Sequence, residues 1–105
     1  MKTIKRKEIK RKPSAPGEIL KEIFLDPRQV TQASFAEELS GLTKGKIKVS
    51  TMKTKLNEVV TGRRAVSAEF ALLISEILGT NPKMWLNLQA SLDLWNAKKS
   101  LDLAS

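Results

Sequence analysis

Lysine and arginine are the side chains of this sequence with the clearest chemical potential, and they are concentrated in two stretches. Of 105 residues, 19 are Lys or Arg and 11 are Asp or Glu, which gives a formal net charge of +8. Residues 1–12 and residues 44–64 each hold seven cations and one anion, so each stretch has a net charge of +6. Such clusters attract polyanions, usually nucleic acid. A solubilising tail and a solvated helix face are the alternative interpretation.

The composition excludes several kinds of active site. The sequence has no His and no Cys, which excludes a Ser-His-Asp triad, a His-ligated metal and a disulfide framework. Its longest apolar run, residues 70–74, is far shorter than the roughly 20 residues of a membrane span. No apolar segment follows the basic start closely enough to form a secretory signal. We therefore expect a cytoplasmic protein that does not act at a membrane, without catalytic residues, metal or cofactor, although a carboxylate- or lysine-based enzyme stays formally open.

Five segments show the apolar period and the end signals of helices. The predicted helices cover residues 16–25, 31–39, 51–60, 67–78 and 82–100. In the first of them, Ile19 and Ile23 fall on one face. Thr31, Ser67 and Asn81 are typical N-cap residues. The fold class is therefore predicted to be all-α.

The predicted domain covers residues 14–105 and follows a basic arm, residues 1–13. The arm has too little apolar surface to offset the entropy of ordering, so we expect it to be disordered. Residues 40–50, with two glycines and alternating lysines, are predicted to form a loop with a short extended piece at residues 46–49.

The second and third helices have the outline of a helix-turn-helix, in which the second helix of the pair enters the major groove of DNA. On the polar face of the third helix, Lys53 could reach a guanine edge, Asn57 an adenine edge and Thr54 a thymine methyl. Arg63 and Arg64 follow the helix and suit phosphates, and Gln32 opens the second helix, where a phosphate could also bind. A solvated surface helix is equally compatible with this pattern.

Four motifs resemble those of HigA-type antitoxins. The family motifs HPGEIL, Gln-x-x-Leu-Ala-Glu, NGxRAVT and LGTSPEFWLNLQAxYDLW are similar here to APGEIL at 15–20, QASFAE at 32–37, TGRRAVS at 61–67 and LGTNPKMWLNLQASLDLW at 78–95. By this resemblance the sequence is identified as a member of the HigA/VapI group of XRE-type helix-turn-helix proteins.

The resemblance implies a λ-repressor-like five-helix bundle that acts as a homodimer. It also implies two partners, operator DNA contacted through the major groove and a RelE/HigB-like mRNA-cleaving toxin, and a function as antitoxin and autorepressor. Positions carried back from Gly62 place Glu58 beside the groove, where a carboxylate could accept from cytosine N4. The predicted DNA-binding residues are Gln32, Lys53, Thr54, Lys55, Asn57, Glu58, Arg63 and Arg64.

Residues 40–50 depart from the family pattern, because they add about ten residues to what is usually a tight turn. Either this enlarged turn bulges outward and the helix pair keeps its angle, or the pair is remodelled. The lysines of the turn either contact the DNA backbone or only solubilise the loop.

The last predicted helix has two apolar stripes, one from Met84 through Leu88 and Leu92 to Trp95, the other through Leu86, Ala90 and Leu94. Two stripes suggest two contacts, one with the core and one with a second copy of the chain. We predict the dimer interface at Trp85, Leu88, Leu92 and Trp95. The alternative is that these side chains belong to the core only.

Three classes of function remain open. The leading one is a DNA-binding antitoxin. The second is a toxin-masking protein that does not bind DNA specifically, or another XRE-family transcriptional regulator. The third, an RNA-binding or RNA-cleaving protein, is disfavoured because no RNA-stacking sheet is predicted and the chain has only three Phe, two Trp and no Tyr.

Overall fold

The computed structural model describes residues 12–101, and every regular element in this range is helical. Helix α1 begins as an α-helical turn at Pro16–Ile19 and continues as a π-helix at Leu20–Leu25. The other helices are α2 at Gln32–Leu42, α3 at Val49–Val60, α4 at Ala68–Leu78 and α5 at Pro82–Ser100. The prediction of an all-α domain with five helices is confirmed. Most of the predicted basic arm lies outside the described residues.

The helix starts are fixed by the predicted capping residues. Thr31 and Ser67 each accept a hydrogen bond from the backbone N–H three residues on, at 3.1 Å, and Asn81 accepts one from the N–H of Lys83 at 2.8 Å. Each bond satisfies an N–H group that the start of a helix leaves unpaired. Among residues 12–101, no helix is long and apolar enough to cross a bilayer.

Helix α1 differs from the prediction because its second half is a π-helix. The wider turn places residues five apart on one face, so that both Leu20 and Leu25 are fully buried. The backbone N–H of Asp26 donates to the carbonyl of Lys21, five residues back, at 2.8 Å. Ile19 packs against the core, whereas Ile23, which is predicted to fall on the same face, is 56% exposed.

The loop between α2 and α3 is shorter than predicted. Helix α2 extends to Leu42 and α3 begins at Val49, so only residues 43–48 connect them. The predicted extended piece at residues 46–49 is wrong, because residues 46 and 47 form a bend and Val49 already belongs to α3.

Two hydroxyl groups at the end of α2 give this loop its shape. Ser40 Oγ donates to the Ile47 carbonyl at 2.6 Å, and Thr43 Oγ1 accepts from the Ile47 N–H at 3.1 Å. The backbone N–H and carbonyl of Ile47 are thus both bonded to hydroxyl groups, so they do not need the hydrogen bonds of a neighbouring strand. Ile47 packs against the core, so the loop is anchored close to the start of α3.

Trp85 of α5 lies in the core. Its side chain is completely buried, its Nε1–H donates to Thr80 Oγ1 at 2.8 Å, and its ring centroid lies 5.5 Å from that of Phe24 in α1. The prediction that Trp85 lies in a dimer interface is wrong, because no part of this side chain reaches the surface of the protomer. The other buried apolar residues are Leu20, Leu25, Phe35, Ala36, Leu39, Met52, Leu56, Val59, Val66, Phe70, Ala71 and Ile74.

Helices α1 and α3 approach each other closely at Gly17. A Cβ atom on Gly17 would overlap the carbonyl of Val59 and lie 2.8 Å from Val60 Cα. Only a residue without a side chain fits between the two backbones.

Replacing Gly17 by Ala should therefore destabilise the protein by about 1–3 kcal/mol or more, because the added methyl group forces two helix backbones apart. Urea unfolding followed by circular dichroism measures the change. Gly41→Ala is the matched control, since nothing lies within 4 Å of its Cβ position in α2, and it should stabilise the protein by up to about 1 kcal/mol. Equal stability of the two variants would contradict the close approach.

Helix α5 holds the turn between α3 and α4. Gln89 Oε1 accepts a hydrogen bond from the backbone N–H of Val66 at 2.9 Å, and Val66 is buried. The Val66 N–H has little access to water, and Gln89 Oε1 is the acceptor described for it. The side chain of Gln89 therefore satisfies this buried donor of the turn.

Gln89→Ala should cost about 1–3 kcal/mol of unfolding free energy, because it leaves the buried Val66 N–H without its acceptor. Asn87→Ala, at an exposed position of the same helix, should be neutral or slightly stabilising. Both changes raise helix propensity, so a loss confined to Gln89→Ala reports the turn. Equal unfolding midpoints for the two variants would show that the bond is dispensable.

Candidate nucleic-acid interface

Helix α3 separates an apolar face from a polar one. Met52, Leu56 and Val59 are buried against the other helices. Lys53 and Asn57 are exposed on the opposite side. The helix is thus held by one face and offers the other to a ligand, as a helix that enters a DNA groove must.

Asn57 is the centre of a small hydrogen-bonded array on this polar face. Its Nδ2 donates to Gln32 Oε1 at 3.3 Å, and its Oδ1 accepts from Arg63 Nη2 at 3.5 Å. Arg63 Nε also donates to Thr61 Oγ1 at 3.2 Å. The structure therefore brings together three of the predicted DNA-binding residues, from the start of α2, from α3 and from the turn after it. Both bonds to Asn57 are long, so a better partner could replace them.

The turn after α3 positions the two arginines. Gly62, with φ of 81°, lets the chain fold back over the helix end. The backbone N–H groups of Arg63 and Arg64 then donate to the carbonyl of Glu58 at 2.8 and 3.1 Å, and that of Gly62 donates to the Val59 carbonyl at 3.1 Å. This is a Schellman arrangement, in which Gly62 ends the helix.

Glu58 and Arg64 form an ion pair across this turn. Arg64 Nε and Nη2 both lie 2.7 Å from Glu58 Oε1. The side chains remain partly open to solvent, at 33% exposure for Glu58 and 46% for Arg64. Sequence reasoning placed both residues in the site but missed the contact between them, because it depends on the backbone fold of the turn.

The remaining predicted residues lie apart from the array. Thr54 is exposed, with its Oγ1 donating to the Ser50 carbonyl of its own helix at 3.3 Å. Lys55 is half-buried and lines a cleft between α3 and the start of α4, together with Ser67 and Phe70. Lys55 therefore points away from Asn57, toward the next helix.

The loop before α3 adds further positive charge. Lys44, Lys46 and Lys48 are all exposed, and Lys44 has φ of 54°. This left-handed conformation is uncommon for a residue other than glycine. All three lysine side chains lie in solvent just before the start of α3.

The surface of α5 differs from the predicted dimer interface. Leu88, Leu92 and Trp95 are half-buried, while Leu94 and Leu101 are 63% and 66% exposed. Lys99 Nζ lies 5.0 Å from the centroid of the Trp95 ring, a distance typical of a cation–π contact. Leu94 belongs to the second stripe, which the predicted interface left out, and Leu101 follows the end of the helix.

Within residues 12–101, no three Asp or Glu side chains come close enough together to hold a metal ion. The arrangement of exposed amide, hydroxyl and guanidinium groups on a helix is suited to binding an anionic surface with polar base edges.

Known proteins resemble this chain in sequence and in fold. The chain matches no protein-family model. Antitoxin HigA-1 of Vibrio cholerae is 30% identical over 92 residues, which cover 88% of this chain and 77% of the relative. The HTH-type transcriptional regulator YddM of Escherichia coli is 34% identical, over 85% of this chain and 83% of the relative.

A solved structure agrees with these relatives. Pseudomonas aeruginosa antitoxin HigA with the higBA promoter superposes with a TM-score of 0.71 and 28% identity, covering 85% of this chain and 86% of that one. Antitoxins and transcriptional regulators act by binding, so the prediction of a non-enzymatic protein is confirmed. The motifs, the five-helix fold and the relatives agree, and the chain belongs to the HigA-type antitoxin family of helix-turn-helix proteins.

Proposed function

We propose that the protein is a DNA-binding antitoxin that represses its own operon and neutralises a RelE/HigB-like mRNA-cleaving toxin. The observation that carries the DNA-binding part is the array of Gln32, Asn57 and Arg63 on the exposed face of α3. The array holds an amide side chain outward on a helix whose other face is buried in the core. The related Pseudomonas HigA with the higBA promoter supports the assignment of operator DNA as the ligand.

Two kinds of contact follow from this surface. Asn57 and Lys53 lie on α3 itself and are proposed to read base edges in the major groove, with Thr54 beside them. Arg63, Gln32 and the lysines of the preceding loop surround the helix, and their charges and donors suit phosphates. Base contacts carry sequence information, whereas phosphate contacts fix position and strengthen binding to any duplex.

The proposed functional unit is a homodimer. Helix-turn-helix proteins commonly read two half-sites about one DNA turn apart, which requires two recognition helices. Helix α5 offers a surface for the second copy, because Leu94 and Leu101 are exposed, with the exposed Ala97 between them and the exposed Ala90 one turn before Leu94. Leu92 and Trp95 lie beside these residues and complete the proposed interface.

The toxin-neutralising part rests on membership of the HigA-type family. We place both activities in the cytoplasm, where a bacterial operon and its transcripts are accessible. Two findings would support the toxin-neutralising part. The neighbouring reading frame should encode a small RelE-like toxin, and that toxin should co-purify with this chain.

The main test separates reading of bases from grip on phosphates. Asn57→Ala should weaken binding to the operator by about 1–3 kcal/mol, with little effect on a scrambled duplex, because an amide contact to adenine is lost. Arg63→Ala should weaken binding to both duplexes and reduce the slope of log affinity against log salt by about one unit. Fluorescence anisotropy over a salt series measures both effects.

Two outcomes would contradict the proposal. If Asn57→Ala weakens both duplexes equally, this residue does not read sequence. If the wild-type protein binds the two duplexes equally at every salt concentration, the chain is better described as a toxin-masking protein without specific DNA binding.

The dimer has its own test. Leu94→Glu should dissociate the homodimer, because it puts a charge into a buried apolar seam, and Trp95→Ala should weaken it by removing a large contact. Sedimentation equilibrium gives the dissociation constants. Leu72→Glu on α4 is the control, as Leu72 is 60% exposed and the change in charge is the same. A Leu94→Glu protein that remains as dimeric as Leu72→Glu would exclude α5 as the interface.

A further inference from the structure

Glu58 is the one anion of residues 44–64, and its position is unfavourable by simple electrostatics. It lies in the last turn of α3, where the helix dipole disfavours negative charge. It also reduces the positive charge of a surface proposed to bind phosphates. A carboxylate retained there invites a functional explanation.

We propose that Glu58 determines specificity by acting through Arg64: it binds the Arg64 guanidinium in the free protein and so limits binding to non-specific DNA. This inference rests on the proposed DNA-binding function. Glu58 then lowers the affinity of the protein for DNA of the wrong sequence, as charged groups in specific interfaces often do.

The geometry favours this role because the two adjacent arginines have different partners. Arg63 donates to the neutral acceptors Thr61 and Asn57, so its full positive charge remains available to a phosphate. Arg64 donates with two nitrogens to one carboxylate oxygen, at 2.7 Å each. Among residues 12–101, Glu58 is the acceptor found for the Arg64 side chain. The pair therefore removes the net charge of one arginine and leaves the other free.

The fold holds this pair in place without burying it. The Schellman turn fixes both backbones, since the Arg64 N–H donates to the carbonyl of Glu58. Both side chains remain partly open to solvent, so a phosphate can approach Arg64 but must compete with a carboxylate that is already bound. Non-specific binding depends almost wholly on such phosphate contacts, and it is therefore the binding mode that the pair reduces most.

Glu58→Gln tests the inference, because the amide keeps the size of the side chain and removes its charge. On a scrambled duplex, this variant should bind roughly three- to tenfold more tightly at low salt, with a salt slope steeper by about 0.9, the contribution of one more phosphate contact. The ratio of operator to scrambled affinity should fall. Thermal unfolding of each variant confirms that it is folded.

Two further variants assign the effect. In an Arg64→Gln background, Glu58→Gln should no longer change the affinity or the slope for the scrambled duplex, since the residue that it releases is gone. Glu76→Gln on α4 removes the same charge from an exposed position and should leave the slope unchanged.

Three results would overturn the inference. The first is an unchanged scrambled-duplex affinity with a loss on the operator, which would make Glu58 a direct reader of cytosine. The second is a gain that persists without Arg64, and the third is an equal gain from Glu76→Gln. Because these measurements use a scrambled duplex, they are distinct from failure of the proposed function, which would appear as a wild-type protein that does not prefer its operator.

Discussion

The close approach of α1 to α3 at Gly17 is the constraint on which the proposed interface depends. The backbone of Gly17 lies against the carbonyl of Val59, one residue after Glu58 and one before the end of the helix. This contact brings α1 against α3, whose apolar face is buried in the core, and burial of that face turns the polar face outward. The position of α3 is thus set by the fit between two backbones in addition to the packing of side chains.

The segment that follows α3 is held from two sides. The Schellman turn at Gly62 binds its beginning to the carbonyls of the helix, and Gln89 of α5 binds its end through the N–H of Val66. Arg63 and Arg64 lie between these anchors. Helix α5 therefore joins the proposed DNA surface to the proposed dimer surface. Its Gln89 bonds to the turn, and its Leu94, five residues further along the chain, is exposed. A second copy that packs on α5 would fix the distance between two α3 helices through the same contacts.

The charged side chains of this surface attract polyanions, and one ion pair limits that attraction. The exposed lysines of the loop and Arg63 supply attraction for any polyanion, whereas the pair of Glu58 and Arg64 cancels one charge on the helix that is proposed to contact bases. Affinity for phosphate is easily obtained from a basic stretch, but discrimination requires that the sequence-independent part remain moderate.

The sequence by itself determined the class of the fold, because helix starts and stops are local. Thr31, Ser67 and Asn81 satisfy N–H groups within three residues, and Gly62 takes its positive φ at a single position, so these assignments need no knowledge of the rest of the chain. The buried face of α3 was also readable from its period. The resemblance of the motifs identified the family, which the relatives confirm.

Tertiary structure alone decided the features that depend on distant partners. The π-helix in α1 forms because Leu20 and Leu25 must both reach the core, and the ends of the enlarged turn follow from where Ile47 can be anchored. Trp85 is buried since Phe24 and Thr80 surround it, and periodicity does not tell an internal stripe from an interface. The partner of Arg64 was unreadable for the same reason: a sequence shows which charges are present, but the path of the backbone decides which of them meet.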